Sequence, residues 1–152
     1  MTIRLATAAD ALDIHNLHTR SVRGLCSKDY PPELIDAWLR GRSPEGYKGI
    51  AKGEMYVYEK DNVIAGWSHA KPDNFALFVD PEYSRLGIGS ELFKHTMEII
   101  RSHTDQPIEF DATLTAVPFY EKMGCKVISR SEVTKNSTSV ETVRMLTPQL
   151  ED

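Results

Sequence analysis

The chain has 152 residues, of which 41% are hydrophobic and 26% charged. This length and composition predict a single globular domain over residues 1–152 and exclude a disordered or fibrous protein. Eighteen Lys and Arg residues against 22 Asp and Glu residues give a net charge of −4, without the positive field that non-specific nucleic-acid binding requires. No apolar stretch is long enough to span a membrane, and the N-terminus carries no secretion signal. We therefore expect a cytoplasmic protein that binds neither nucleic acid nor membrane.

The first third of the chain predicts a strand followed by two helices. Residues 3–5 alternate apolar and polar, and the helix after Asp10 carries an apolar stripe at the helical period, formed by Ala11, Ile14, Leu17 and Val22. The polar face of that helix includes His15 and His18. Pro31 and Pro32 open the second helix, whose apolar side contains Leu34, Ile35, Trp38 and Leu39. A glycine-containing loop then spans residues 41–53.

The middle of the chain predicts a hairpin, a third strand and the strongest helix. Residues 55–58 and 63–67 are rich in β-favouring side chains and flank a turn at residues 60–62. The nearly all-apolar run over residues 75–79 predicts a central strand covered on both faces. From Ile88 to about Ser102 an apolar stripe keeps the helical period, so this segment predicts a helix.

The last third predicts a strand, a short helix and two further strands. The strand covers residues 108–112, the helix residues 117–123, and the final strands lie near residues 126–130 and 140–146. The element order indicates an α/β (α+β) fold with a mixed, mostly antiparallel central sheet flanked by helices.

The turn between the apolar strand and the strongest helix is the segment most indicative of chemistry. It contains Gly87 and Gly89 and begins with Arg85. A helix start presents free N–H groups and a partial positive charge, and glycines let a phosphate approach that backbone closely. The segment from Arg85 to Ser90 therefore predicts a phosphate or pyrophosphate site, although a plain strand-to-helix turn would show the same glycines.

Two other nucleotide motifs do not fit this turn. A dinucleotide fingerprint needs a third glycine where Leu92 stands, and a P-loop needs a Gly-Lys-Ser/Thr sequence that the turn lacks.

The chain resembles the GNAT superfamily of acyl-CoA-dependent N-acetyltransferases in two segments. Residues 77–90, Leu-Phe-Val-Asp-Pro-Glu-Tyr-Ser-Arg-Leu-Gly-Ile-Gly-Ser, are similar to the family's strand and pyrophosphate loop, and residues 116–124, Ala-Val-Pro-Phe-Tyr-Glu-Lys-Met-Gly, to its later segment. The chain departs from the family at Ser84, where Gln or Arg is usual, and at Thr113, where Asn is frequent. The resemblance implies the GNAT-like acyl-CoA N-acyltransferase fold.

The resemblance also implies a reaction, with acetyl-CoA as co-substrate and no metal. An amine attacks the thioester directly, backbone groups of Leu77, Phe78 and Val79 hold the pantetheine arm, and Tyr120 is the general acid that protonates the CoA thiolate. The pyrophosphate would be held by Arg85, Leu86, Gly87, Ile88, Gly89 and Ser90. A tyrosine that merely packs a short helix is the alternative for Tyr120.

The general base is left open between a carboxylate, an imidazole and an ordered water, and two acids are candidates. Asp73 stands at the start of the apolar strand, where some family members carry a catalytic acid. Asp111 is an acid within an otherwise apolar strand, which is unusual enough to indicate a role. Either could instead be a solvated side chain or a strand cap.

Several further residues have plain structural interpretations. His15 and His18 could place two metal ligands on one helix face, but no other ligands accompany them, so we expect a solvated face. His69 could line the acceptor site, but we expect it at the surface. Cys26 and Cys125 are expected as reduced thiols. A group of three aromatic residues could shape an acceptor pocket or belong to the core, namely Tyr30, Trp38 and Tyr47.

Three classes of function compete: an N-acetyltransferase, a non-catalytic acyl-CoA-binding module or sensor of the same fold, and an unrelated phosphate-binding protein. The enzyme accounts for both similar segments. Its acceptor would be a small-molecule or peptide amine, which the sequence does not identify further, and a homodimer is possible through the C-terminal strands.

Overall fold

The computed structural model describes residues 2–149, which form seven strands and four α-helices. In chain order these are β1 (Thr2–Leu5), α1 (Ala11–Leu25), α2 (Pro32–Leu39), β2 (Met55–Lys60), β3 (Val63–Lys71), β4 (Asn74–Val79), α3 (Ile88–Arg101), β5 (Glu109–Thr113), α4 (Val117–Lys122), β6 (Lys126–Lys135) and β7 (Thr138–Leu146). Every predicted element is present. Both strands of the last hairpin are longer than predicted.

The strands form two antiparallel sheets rather than one continuous sheet. The first has the order β1-β2-β3-β4 and the second β5-β7-β6. Within residues 2–149, β4 pairs only with β3 and β5 only with β7. The two sheets touch where the rings of Phe75 and Phe110 lie 4.7 Å apart. The predicted mixed α/β fold with antiparallel strands is confirmed, and a gap divides the sheet between β4 and β5.

Helix α3 connects the two sheets on one side. Ile88 and Leu92 pack against Tyr58 and Ala65 of the first sheet. Farther along the helix, Phe93 and Met97 belong to a core cluster with residues of the second sheet, including Phe110, Ala112 and Met145. The two halves of this helix therefore pack against different sheets, and the gap opens beside its N-terminus.

Helices α1 and α2 cover the opposite side. Ile14 and Leu17 of α1 pack against Val57 and Trp67 of the first sheet. The end of α1 and all of α2 share a core cluster with β7, which contains Val22, Cys26, Tyr30, Ile35, Trp38, Leu39 and Val140. Both cysteines are free and buried. No helix among residues 2–149 is long and apolar enough to cross a membrane.

Three expectations from the sequence are wrong in detail. Strand β4 is the last strand of its sheet, and the side chains of residues 75–79 are half-buried because they line the gap. His18 does not lie on a solvated face, since its ring centroid is 4.1 Å from that of Phe78 and 5.1 Å from that of Trp67. The side chain of His69 is only 12% exposed, and its Nε2 lies 3.0 Å from Oε1 of Glu54.

Candidate active site

The glycine turn has the backbone geometry of an anion-binding site. Asp80 ends β4 and accepts a hydrogen bond from the backbone N–H of Glu82, which begins a tight turn. Arg85 (φ 65°) and Gly87 (φ 84°) then take left-handed conformations immediately before α3. The first N–H groups of a helix have no intrahelical acceptor. These groups, together with the helix dipole, favour a bound anion at this end.

A cavity of about 710 Å³ opens beside this turn, and we call it the loop-side cavity. Its walls include residues 77–79 of β4 and, from the predicted phosphate segment, Arg85, Gly87, Gly89 and Ser90. The side chain of Leu86 is 59% exposed, and that of Ile88 is in the core. Neither residue lines the cavity.

The loop-side cavity is also lined by residues that the sequence interpretation did not assign to a site, among them Cys26, Lys28, Thr115, Pro118, Phe119 and Lys122. Lys28 and Lys122 come from different parts of the fold, and both add positive charge to a wall that already contains Arg85. The sequence offered no signal for them, because their approach to the turn depends on tertiary packing.

A second cavity of about 620 Å³ lies between β4 and the second sheet, and we call it the sheet-side cavity. Strand β4 lines it from Asn74 to Phe78, and β5 lines it from Glu109 to Thr113. The two cavities share four lining residues: Leu77, Phe78, Thr113 and Ala116. They therefore meet in the gap between β4 and β5, beside the strand that the sequence assigns to thioester binding.

Tyr120 lines the sheet-side cavity and is 5% exposed. Its ring lies against the rings of Phe75, Phe93, Phe110 and Phe119. This burial raises the pKa of the Tyr120 phenol above its ordinary value, and the nearby Cys125 thiol acts in the same direction. The phenol is therefore protonated at neutral pH and is available as a proton or hydrogen-bond donor.

The two candidate bases differ in how firmly they are held. The Asp111 side chain is 29% exposed, and it accepts hydrogen bonds of 3.0 Å from both Arg144 Nη1 and Ser131 Oγ. The Asp73 side chain is 77% exposed, and its only ion-pair contact among residues 2–149 is with Lys71 at 4.0 Å. Both line the sheet-side cavity, but only Asp111 has a fixed orientation there.

A family model described as an acetyltransferase (GNAT) domain matches residues 26–145. The chain belongs to the GNAT superfamily of N-acetyltransferases. It is therefore an acyltransferase, as the two sequence segments predict.

Individual relatives agree with this assignment. The chain is 30% identical over 132 residues to the uncharacterized N-acetyltransferase YafP of Escherichia coli K12, covering 86% of this chain and 85% of that protein. It is 33% identical over 107 residues to the E. coli K12 peptidyl-lysine N-acetyltransferase YjaB, covering 70% of this chain and 67% of that protein.

Solved structures share the fold. The GCN5-related N-acetyltransferase from Rhodopseudomonas palustris superposes with a TM-score of 0.85 at 21% identity, covering 96% of this chain and 94% of that one. The PaiA N-acetyltransferase of Thermoplasma acidophilum, solved in complex with coenzyme A, gives 0.76 at 19% identity, covering 96% and 97%.

The three aromatic residues proposed for an acceptor pocket occupy different places in this GNAT fold. Trp38 is buried and lines the sheet-side cavity. Tyr30 is buried, donates a hydrogen bond to the carbonyl of Glu141 (2.5 Å) and accepts one from the N–H of Leu114 (2.9 Å), which makes it a structural link. Tyr47 packs against His18 and receives a hydrogen bond from Arg42 (2.6 Å).

The sheet-side cavity also contains two cations that were not predicted. Arg144 lies between Glu109 and Asp111 and donates to both. Lys135, at the end of β6, also lines the cavity. Desolvation lowers the pKa of its ammonium group; the positive charge of Arg42 lowers it further, and the Asp111 carboxylate raises it. No group of three or more metal-binding side chains occurs among residues 2–149.

Proposed function

We propose that the chain transfers the acetyl group of acetyl-CoA to a primary amine by direct attack. Acetyl-CoA would occupy the loop-side cavity and the amine the sheet-side cavity. The observation that carries the proposal is the meeting of the two cavities at Leu77, Phe78, Thr113 and Ala116. A thioester and an amine that enter from opposite sides of the sheet come together there, without either having to leave its own cavity.

The phosphates of acetyl-CoA suit the charged end of the loop-side cavity. The N-terminus of α3 supplies N–H groups and a partial positive charge, and Arg85, Lys28 and Lys122 supply full charges. The free edge of β4 then offers backbone groups of residues 77–79 to the amides of the pantetheine arm. This arrangement leads the thioester toward the junction of the cavities.

The acceptor must lose a proton before its nitrogen can attack the thioester carbon. Asp111 is the base that we favour, because Arg144 and Ser131 hold its carboxylate at the cavity wall. Asp73 remains the second candidate. Removal of the proton leaves a neutral amine, whose lone pair forms the new C–N bond.

Tyr120 is proposed as the general acid. As the C–S bond breaks, negative charge develops on the CoA sulfur, and the phenol donates its proton to that sulfur. The apolar rings around Tyr120 exclude water, so the phenol competes little with solvent as the proton donor to the sulfur. The attacking nitrogen, positively charged once the C–N bond has formed, loses its second proton, and a proton returns to the Tyr120 oxygen. The products are free CoA and the N-acetylated amine.

The acceptor is a small-molecule or peptide amine. A relative, YjaB, is named a peptidyl-lysine N-acetyltransferase. This name supports an amine nitrogen as the nucleophile but does not identify the molecule that carries the amine. The single domain over residues 1–152, a cytoplasmic location and a homodimer stay predictions from the sequence.

Thermal unfolding with acetyl-CoA, CoA or NAD tests the binding step. A ligand at about a hundred times its dissociation constant adds roughly 2.7 kcal/mol to stability, which raises the midpoint of a domain of this size by roughly 5 to 10 °C. We expect this shift with acetyl-CoA and CoA and none with NAD. Release of free thiol in the presence of amines then tests catalysis. Binding without thiol release from any amine would favour the non-catalytic sensor instead.

A further inference from the structure

The floor of the sheet-side cavity is one face of the second sheet. Directly paired residues of neighbouring strands share a face, as do residues two apart on one strand. Asp111 pairs with Arg144, and Thr113 pairs with Thr142, which in turn pairs with Ser131. Lys135 lies four residues beyond Ser131 on the same strand, and therefore on the same face. The floor thus runs from a carboxylate at Asp111 to an ammonium at Lys135.

The two ends of this floor differ in how their charges are compensated. Asp111 has a cationic partner in Arg144, which also pairs with Glu109. Lys135 lines the cavity, is exposed to solvent, and has no carboxylate within ion-pair distance among residues 2–149. Its ammonium group is therefore available to an anion that enters the cavity, and such an anion would form a charge-assisted hydrogen bond with it.

Arg42 adds a second uncompensated cation near Lys135. Its Nη2 donates to Tyr47 Oη at 2.6 Å and also lies close to His18 Nδ1. Its Nη1 is buried and has no partner among residues 2–149, and no carboxylate in that range forms an ion pair with this guanidinium. Arg42 does not line the cavity, but its positive charge acts on Lys135, so the potential around Lys135 is positive.

We propose that the acceptor is an amino acid, an amine that also carries a carboxylate, and that Lys135 binds the carboxylate while the amine points toward Asp111 and the cavity junction. This inference rests on the proposed function. The carbon chain between the two groups would lie against the apolar side chains of Trp38, Phe78, Val133 and Val140. A diamine or polyamine is disfavoured, because its second ammonium would face Lys135. A volume of about 620 Å³ suits a small molecule.

The test compares amino acids with the amines that remain when their carboxylate is removed. Suitable pairs are 4-aminobutanoate with n-propylamine, 6-aminohexanoate with n-pentylamine, and lysine with cadaverine. Thiol release from acetyl-CoA gives kcat/KM for each compound with the wild-type protein and with the variants Lys135→Gln and Lys135→Arg. Lys126→Gln is the matched control, since Lys126 lies on the same strand, is exposed and lines neither cavity.

At least one amino acid should exceed its decarboxylated partner in kcat/KM by about ten-fold or more, because a charge-assisted hydrogen bond contributes on that scale. Lys135→Gln should raise KM for that amino acid and remove the difference, Lys135→Arg should restore part of it, and Lys126→Gln should leave it unchanged. The decarboxylated monoamines should respond little to any of the variants, whereas cadaverine should be acetylated better by Lys135→Gln, because its second ammonium would no longer face a cation.

Two results would overturn the inference: the first leaves the proposed transfer reaction intact, and the second applies where that reaction is not found. One is equal or better turnover of the decarboxylated amines or of a lysine-containing peptide, with no effect of Lys135→Gln. The other applies if acetyl-CoA binds but no compound is acetylated: the same amino acids are then tested for thermal stabilisation of the CoA-bound protein. Stabilisation that Lys135→Gln abolishes would support the inference, and its absence would contradict it.

Discussion

Arg20 of α1 and Asp80 at the end of β4 form an ion pair of 2.5 Å, in which the Asp80 side chain is 3% exposed. The same carboxylate accepts the N–H of Glu82 and so begins the turn that leads to the phosphate segment. Helix α1 is thereby joined to the backbone on which the anion site depends.

Replacing Arg20 by Ala should therefore cost more stability than an ordinary surface substitution. The Asp80 carboxylate would stay buried without its cation, at a cost of about 1–3 kcal/mol. Arg23→Ala is the control, because Arg23 pairs with Asp36 and both side chains are more than half exposed, where pairs contribute about 0–1 kcal/mol. Urea unfolding gives both values. Equal losses would contradict the role of Asp80 in fixing the turn.

Tyr120→Phe should lower kcat by about a hundred-fold or more, since this is the scale of general acid catalysis. The ring packing is kept, so the dissociation constant for acetyl-CoA should not change. Tyr56→Phe provides the control, because Tyr56 packs against His95 and lines neither cavity. Steady-state kinetics and calorimetric titration separate the two quantities. Full activity of Tyr120→Phe would assign the residue to packing alone.

Asp111→Asn and Asp73→Asn together test the choice of base. We expect the first to lower kcat by about a hundred-fold and the second to have little effect, because Asp73 is mostly exposed and weakly held. The amide oxygen introduced by Asp111→Asn could still accept from Ser131 and Arg144, so the scaffold should survive, and unfolding curves check this. The opposite order of effects would transfer the role to Asp73.

Gly87→Ala should weaken acetyl-CoA binding. Its φ of 84° strains any residue with a side chain by about 1–2 kcal/mol, and a methyl group would stand in the loop-side cavity. Gly53→Ala is a close control: its φ is 70°, no atom lies within 4 Å of the added carbon, and it lines neither cavity. Both variants should lose similar stability, but only Gly87→Ala should raise the dissociation constant. A similar rise in both would point to global destabilisation.

Stability should fall as the pH drops below about 6.5. Burial lowers the pKa of His18 well below its ordinary value, and the positive charges of Arg42, Lys135 and His15 act in the same direction. The unfolded histidine binds a proton in this range while the folded one does not, so protons favour unfolding by up to about 1.4 kcal/mol per pH unit.

The variant His18→Gln should reduce this pH slope, whereas His103→Gln, at an exposed position just after α3, should leave it unchanged. The slope should not vanish, because burial also lowers the pKa of His15 and His95. Urea unfolding at several pH values measures the slope directly. Identical slopes for the wild type and His18→Gln would contradict this prediction.

The sequence predicts the elements whose apolar residues recur with a clear period. Its predictions are incomplete for strands made of polar residues and for features that depend on tertiary contacts. Helix α3 is predicted almost to the residue, because its apolar stripe reflects its packing. The prediction ends β6 too early, because residues 131–135 are mostly polar and do not show a typical strand pattern. Asn136 and Ser137 form the turn of this hairpin, with φ of 52° and 63°.

The acceptor side of the site shows the same limit. Asp111 is noticeable in the sequence as an acid within a predicted strand, although Glu109 and Thr113 share its alternation, and the turn is noticeable because of its glycines. Lys135 gives no such signal, since only the register of β6 on β7 brings it into line with Asp111. Likewise, nothing in the apolar run of β4 shows that the next strand of the sheet is not hydrogen-bonded to it.

A strand edge that stays unpaired in the middle of a protein has a consequence beyond catalysis. The outer N–H and C=O groups of β4 are sites for an extended, amide-bearing guest, and pantetheine is such a guest. Filling the gap would make one continuous layer out of two, so amide protons of residues 77–79 should exchange more slowly with solvent in the loaded protein. The resistance of this protein to heat and to proteolysis should therefore follow the acetyl-CoA supply of its surroundings.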